Sequence, residues 1–306
     1  MDHAISIDAA SSKTFAEVVA LVFRDLPAAA RAEQCERLLG VESDRPSFGG
    51  AFEARRGGRL VGAVLCEIQV GRAAVVWPPA LVPGEPAATA KSLLERASTY
   101  LVDQGVCVAY ALLEFHAEAE GAMLEAGGFE RMADLNYLAC MEAGFPRSPP
   151  PTALEFHRYR EADRDRFARV VESTYEGTLD CPLLNGAREV DDVLAGYRAT
   201  GTFDPSRWLR VTHRKEDVGC LLLADHPQQE NWELVYMGVV PAARGNGWGG
   251  HLVRHAQWLT RQAGRPRLVL AVDAMNAPAI RMYWLAGFQC WERRRAFLKL
   301  FDPPRP

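Results

Sequence analysis

No Cys-x-x-Cys pair occurs among the seven cysteines, Cys35, Cys66, Cys107, Cys140, Cys181, Cys220 and Cys290. Seven is an odd number and the zinc-type spacing is missing, so neither a zinc site nor a disulfide framework is expected, and no metal is called for. No apolar run approaches the roughly 18 residues that would mark a bilayer span. The first residues, Met-Asp-His-Ala-Ile-Ser-Ile-Asp, lack a basic region followed by an apolar one. A cytoplasmic compartment with no membrane partner is the expectation. Net charge is also small, −4 over 306 residues, which gives no general attraction to nucleic acid. Arg293, Arg294 and Arg295 are consecutive, but on a strand they alternate faces and are expected to be mostly solvated. What is present is globular: hydrophobic residues make up 48% and charged residues 24%, in a chain long enough for two ordinary domains. Composition leaves the oligomeric state open.

One stretch organises the second half. Leu234 to Val240 is apolar and β-prone, and Pro241 stops it. A glycine-dense turn follows, Arg244-Gly245-Asn246-Gly247-Trp248-Gly249-Gly250, and then Leu252, Val253, Ala256 and Leu259 recur on one helical face until Gly264 and Pro266. A strand, a glycine turn and a helix in that order make a cradle for an anion. The first N–H groups of a helix have no partner within it and lie at the positive end of its dipole. Glycines let the backbone approach a bulky phosphate.

Arg244, Gly247 and Gly249 form Arg-x-x-Gly-x-Gly after a strand that closes on Val239-Val240-Pro241. One strand further on, Asp273, Asn276, Ala279, Tyr283, Gly287 and Phe288 form Asp-x-x-Asn-x-x-Ala-x-x-x-Tyr-x-x-x-Gly-Phe. In order and separation the two motifs resemble those of the GCN5-related N-acetyltransferases. The resemblance implies acetyl-CoA as co-substrate, with the turn from Arg244 through Gly245, Asn246, Gly247, Trp248 and Gly249 binding its pyrophosphate. It implies that Met237, Gly238 and Val239 pair with the pantetheine arm like an added strand. Family members carry a β-bulge there that aims a backbone N–H at the thioester carbonyl, and Gly238 suits it. Asn276 reads as the N-cap of the helix begun by Ala277 and Pro278, and the family places this asparagine near the pantetheine. Tyr283, two helical turns on, matches the tyrosine that protonates the departing thiolate.

Glu233 matches the glutamate base of the histone-acetylating branch, although many relatives relay the proton through water. A base matters most for a lysine-like acceptor, because freeing an amine of pKa about 10.4 at pH 7 costs about 4.6 kcal/mol. The acceptor, a small molecule or peptide bearing a primary amine, is expected at the polar loop Tyr175 to Gly186, where Glu176 and Asp180 offer negative charge. A CoA-binding module that senses acetyl-CoA without catalysis is the alternative, and retention of Tyr283 and Glu233 weighs against it.

The first half repeats the plan. Expected elements run from a helical region beginning at Thr14, through strands at Ala51, Leu60 and Ala73, a helix from Ala87 to Gln104, a strand to Leu113 and a helix to Ala126. Pro146-Arg147-Ser148-Pro149-Pro150-Pro151 then breaks the pattern. Glu125-Ala126-Gly127-Gly128-Phe129 stands 159 residues before Trp284-Leu285-Ala286-Gly287-Phe288. At that offset Tyr283 corresponds to Leu124, Asn276 to Ala117, Gly247 to Ala88, Gly249 to Ala90, and Arg244 to Glu85, or to Pro86 in the other alignment of the turn. The expected fold class is therefore α/β (α+β, mixed sheet): two tandem domains of this family's kind, each a mixed, mostly antiparallel sheet flanked by helices. This tandem plan is similar to that of the mycothiol synthases. The expected borders are a degenerate copy at 1–141, serving as scaffold or pocket wall, a proline-rich linker at 142–153, and a catalytic domain at 154–306.

Overall fold

In the computed structural model, which describes residues 4–40 and 50–301, the chain order is β1 (Ile5–Ala9), α1 (Phe15–Val22), α2 (Ala28–Gly40), β2 (Ala51–Arg56), β3 (Arg59–Gln69), β4 (Ala73–Val76), β5 (Ala80–Leu81), α3 (Ala87–Asp103), β6 (Val108–Glu114), α4 (Glu118–Ala126) and β7 (Glu130–Met141). The second half runs β8 (Glu155–Arg158), α5 (Arg164–Tyr175), α6 (Val190–Ala199), β9 (Trp208–His213), β10 (Glu216–His226), β11 (Asn231–Val239), α7 (Trp248–Gln262), β12 (Arg267–Asp273), α8 (Ala277–Leu285) and β13 (Gln289–Leu300). The helical region begun at Thr14 is split in two. Pro27 has no N–H to continue a helix, and α2 starts on the residue after it.

Two compact units result, one formed by 1–132 with 295–306 and the other by 133–294. These borders differ from those expected at 141 and 153. The backbone after α4 enters the second unit as β7, which pairs antiparallel with β12 from Arg267↔Met141 to Asp273↔Leu135. The proline-rich stretch thus lies inside the second unit.

The first unit carries strands in the order β1-β2-β3-β4-β6, antiparallel except for the parallel pair β4–β6. Helix α3 buries Leu93, Leu94, Ala97 and Leu101 against Phe52, Val64 and Val76. Arg295 corrects the expectation of a solvated arginine run: it is 8% exposed and its guanidinium lies 2.9 Å from Glu118. β13 is buried on both faces from Arg295 to Leu298, and the Arg295 guanidinium lies over the Phe115 ring.

The second unit orders its strands β7-β12-β11-β10-β9-β8, with β11–β12 the parallel pair. Helices α7 and α8 cover one face, where Val253, Ala256, Ile280 and Tyr283 pack on Leu221, Leu234, Leu268 and Leu270. Helices α5 and α6 cover the other face of β9 and β10 through Phe167, Val171, Leu194, Trp208 and Leu222. Each unit is thus a mixed, mostly antiparallel sheet flanked by helices. Among the described residues no helix is long and apolar enough to cross a membrane.

Candidate active site

The site is made by two strands that part. β11 and β12 pair in parallel over only three positions, Asn231↔Arg267, Trp232↔Leu268 and Glu233↔Val269, while β11 continues to Val239 and β12 to Asp273. A cavity of about 730 Å³ opens beyond that point, with Leu234 to Val239 on one side and Ala271 and Val272 on the other. The glycine turn closes one end, and Asn276, Met282 and Tyr283 of α8 border it as well. Among the described residues, the inner edge of β11 has no neighbouring strand beyond Glu233, which is the condition for an extended ligand to add to a sheet edge.

The β-bulge is in this wall, but not at Gly238. Leu222 of β10 faces Tyr236 and Leu223 faces Leu234, so Val235 is the extra residue. Gly238 is small for a different reason: a Cβ there would lie 2.5 Å from the Thr174 side chain, so the glycine lets α5 pack on β11. The Thr174 hydroxyl also lies 2.6 Å from the Tyr236 hydroxyl.

The glycine turn has the geometry of a cradle. Gly245 (φ 81°) and Gly247 (φ 76°) occupy the left-handed region, and Gly247 is the N-cap of α7. No side chain caps that helix start. Gly249 allows close packing of α7 on α8, since a Cβ there would meet Met282 Sδ at 2.7 Å. The Asn246 amide donates to the Ala243 and Arg244 carbonyls at 3.1 and 3.3 Å and folds the turn back on itself. Apart from Asn246, every residue expected to bind the co-substrate lines the cavity.

Arg244 does something other than offer a free cation. Its guanidinium donates to the carbonyls of Val239, Gly177 and Thr174 at 3.1, 3.3 and 2.9 Å, so all three nitrogens are used to tie the loop after α5 to the turn. The turn's capacity for anions therefore rests on backbone N–H groups and the α7 dipole.

At the other end, Asn276 caps α8 by accepting from the Ala279 N–H at 3.3 Å. Tyr283 is 7% exposed and lines the cavity. Among the described residues its hydroxyl has no protein partner, and burial holds its phenol well above the ordinary value, so it stays protonated and available to donate. Glu233 is not among the cavity-lining residues: its Oε2 lies 2.7 Å from His226 Nε2. That hydrogen bond raises the His226 pKa above its ordinary value, with burial opposing it. The partnership is invisible in sequence, because it joins the end of β10 to the start of β11 across the hairpin between them.

Of the two loop carboxylates, Asp180 lines the cavity and Glu176 does not. Asp180 Oδ1 accepts the Asp273 backbone N–H at 2.9 Å, and Asp273 Oδ2 accepts the Cys181 backbone N–H at 3.2 Å. Cys181 is held at φ 45° within this clasp. Burial raises the Asp180 pKa, opposed by the Asp273 N–H and the Asn276 side chain.

In the first unit the same place in the fold is already filled. Glu85 sits just before α3, whose N-cap is Pro86, and its carboxylate accepts from Arg56 and from Thr89 Oγ1 at 2.9 and 2.6 Å. The Arg56 and Thr89 contacts hold its pKa below the usual carboxylate value. Leu124 is fully buried in the core, and Ala117 leaves α4 without a side-chain cap.

Parted parallel strands, a bulged β11 and a glycine turn at a helix start thus border one cavity of the second unit. Residues 157–288 match the family model of the acetyltransferase (GNAT) family. A mycothiol acetyltransferase of Streptomyces bingchenggensis is 37% identical over 92 residues, 29% of each chain. Another from Actinosynnema mirum is 26% identical over 181 residues, 58% of this chain and 59% of the relative. The chain therefore spans less than two thirds of the curated relatives it matches. Over 98% of this chain the fold is similar to a solved GCN5-related N-acetyltransferase from Sphaerobacter thermophilus, with a TM-score of 0.64, 16% identity and 97% of that chain covered.

Proposed function

We propose that the second unit transfers an acetyl group from acetyl-CoA directly to a primary amine, and that the first unit is a non-catalytic copy. The observation that carries this reading is the one cavity bounded by the parted edge of β11, the glycine turn and Tyr283. Met237 to Val239 are suited to hold an extended pantetheine arm as an added strand. The N–H groups from Gly245 to Gly249 are suited to the pyrophosphate, with the α7 dipole behind them. Bound there, acetyl-CoA supplies the thioester. The backbone N–H groups near the Val235 bulge are suited to stabilise the oxyanion that develops on its carbonyl. Tyr283 supplies a proton to the departing sulfur. The names of the curated relatives support acetyl transfer, and the acceptor follows from none of these features.

Purified protein with acetyl-CoA and a panel of primary amines tests this, with free CoA and acetylated amine followed by chromatography. Acetylation of at least one amine is expected. Saturable acetyl-CoA binding without transfer to any of them would replace catalysis with sensing.

A further inference from the structure

Among the described residues lining the cavity, Asp180 carries the one carboxyl group. The other charged lining residues are Arg244, bonded to three carbonyls, and Arg254, bonded to Gln257 and the Leu285 carbonyl. Glu233, the carboxylate a motif comparison would choose, lies off the cavity with a histidine on it.

Asp180 is also fixed. Its Oδ1 accepts the Asp273 N–H, and Asp273 in turn holds the next residue of the loop through the Cys181 N–H. Asp273 is buried off the cavity, and both its oxygens accept backbone N–H groups, Oδ1 from Met275 at 2.8 Å and Oδ2 from Cys181. The reciprocal bonds pin the α5–α6 loop to the end of β12, one turn before the helix that carries Tyr283. The Asn276 side chain also hydrogen-bonds this carboxylate, which with about four lone-pair sites keeps acceptor capacity for a further donor.

We propose that Asp180 receives the acceptor's ammonium group and takes its proton, so that the acceptor is a cationic primary amine and the base of the reaction comes from the α5–α6 loop rather than from β11. This deepens the acetyl-transfer reading and rests on it. The proton count closes as follows. An ammonium gives one proton to Asp180 and becomes a free amine. Its lone pair forms the N–C bond at the thioester carbonyl, and the C–S electrons leave on sulfur. Tyr283 protonates that sulfur and is restored by the second proton shed from nitrogen. The proton on Asp180 leaves to solvent, so acetylamide, thiol and one proton are formed.

Burial makes Asp180 more basic than an exposed aspartate. The groups facing it are Asp273 on β12, whose like charge adds to that shift, the Asn276 amide, which opposes it, and the neutral phenols of Tyr236 and Tyr283 with the Cys181 thiol. The rate should therefore carry an acidic limb above the ordinary aspartate range, in addition to the amine's own titration.

The test uses the full chain with glucosamine, cysteine amide, spermidine and lysine amide as probes. For any amine acetylated, Asp180→Asn should lower kcat/KM at least about 100-fold, erase the Asp180 limb of the pH profile and leave acetyl-CoA affinity within about two-fold. Asp180→Glu should restore part of the rate and shift the limb. Parent-like rates in Asp180→Asn would overturn the proposal. So would an acetyl-CoA affinity that falls in step with the rate, which would reduce Asp180 to a loop fastener. If the parent acetylates none of the probes, the functional reading fails separately. Calorimetry of the amines against CoA-loaded protein then decides Asp180: affinity lost in Asp180→Asn supports it, and equal affinity, or none in either protein, overturns it.

Discussion

Arg244 donates from Nη2 to the carbonyl of Thr174 at 2.9 Å, which ties the glycine turn to the C-terminal end of α5. With the bonds to Gly177 and Val239, one side chain secures the loop, the turn and β11 together. Arg244→Ala should therefore act through the loop. Acetyl-CoA affinity is expected to fall about ten-fold, and amide exchange should quicken between Gly177 and Asn185. Arg244→Lys should not rescue it, because an ammonium cannot reproduce a planar fork that reaches three carbonyls. Unchanged exchange with a large loss of affinity would mean that the guanidinium meets phosphate directly.

Tyr283 is buried, lines the cavity and has no protein partner for its hydroxyl among the described residues. Tyr283→Phe removes only that hydroxyl, so its apolar packing on Phe288 is kept. Turnover should drop about 100-fold or more while acetyl-CoA affinity changes little. Parent-like turnover would assign protonation of the thiolate to water or another group.

The pairing of His226 with Glu233 gives a pH signature in stability. The folded pKa of His226 is raised above its ordinary 6.5. Its stabilisation is therefore fully present below about 6.5 and is lost as pH rises through the folded value. Denaturant unfolding of the parent and His226→Gln between pH 6 and pH 9 should show the largest gap at pH 6, closing toward pH 9. A gap that widens with pH would mean the ring is held neutral in the folded protein.

Motif residues were legible in sequence because they are constrained by backbone geometry. Gly245 and Gly247 need positive φ, and Asn276 needs to be a cap; both follow from residue type and local spacing. The order of strands and helices was readable for the same reason, since alternation and helical periodicity are local. The short edge strands β1 and β8 were not, because each is four or five residues long with polar positions facing solvent. The passage of β7 into the second unit was hidden too, since strand pairing with β12 is set by contacts more than 120 residues apart. Side-chain partnerships between distant elements carried no signal at all. Arg244 read as a phosphate cation and is a brace, Gly238 read as a bulge and is a packing gap, and the Asp180–Asp273 clasp joins positions 93 apart.

One acetyl-CoA should bind per chain, in the second unit. Both units place a helix start at the corresponding point, yet they treat it oppositely. The second presents Gly245 and Gly247 with positive φ and no side-chain cap on α7. The first presents Pro86, which has no N–H, beside Glu85, whose carboxylate is locked there by Arg56 and Thr89. An incoming phosphate would meet a resident anion and find a donor missing. Each hydrogen bond to a charged group is worth roughly 1.5–3 kcal/mol, so two lost contacts weaken binding by about two to four orders of magnitude. Titration calorimetry on the full chain should give a stoichiometry near one. Gly247→Glu should abolish the signal, because it sets a carboxylate in the turn as Glu85 does in the first unit. Gly247→Asn is the control for backbone strain: asparagine tolerates positive φ and adds no charge, so binding should weaken far less. A stoichiometry of two, or binding that survives Gly247→Glu, would show that the first unit accepts CoA despite its own carboxylate.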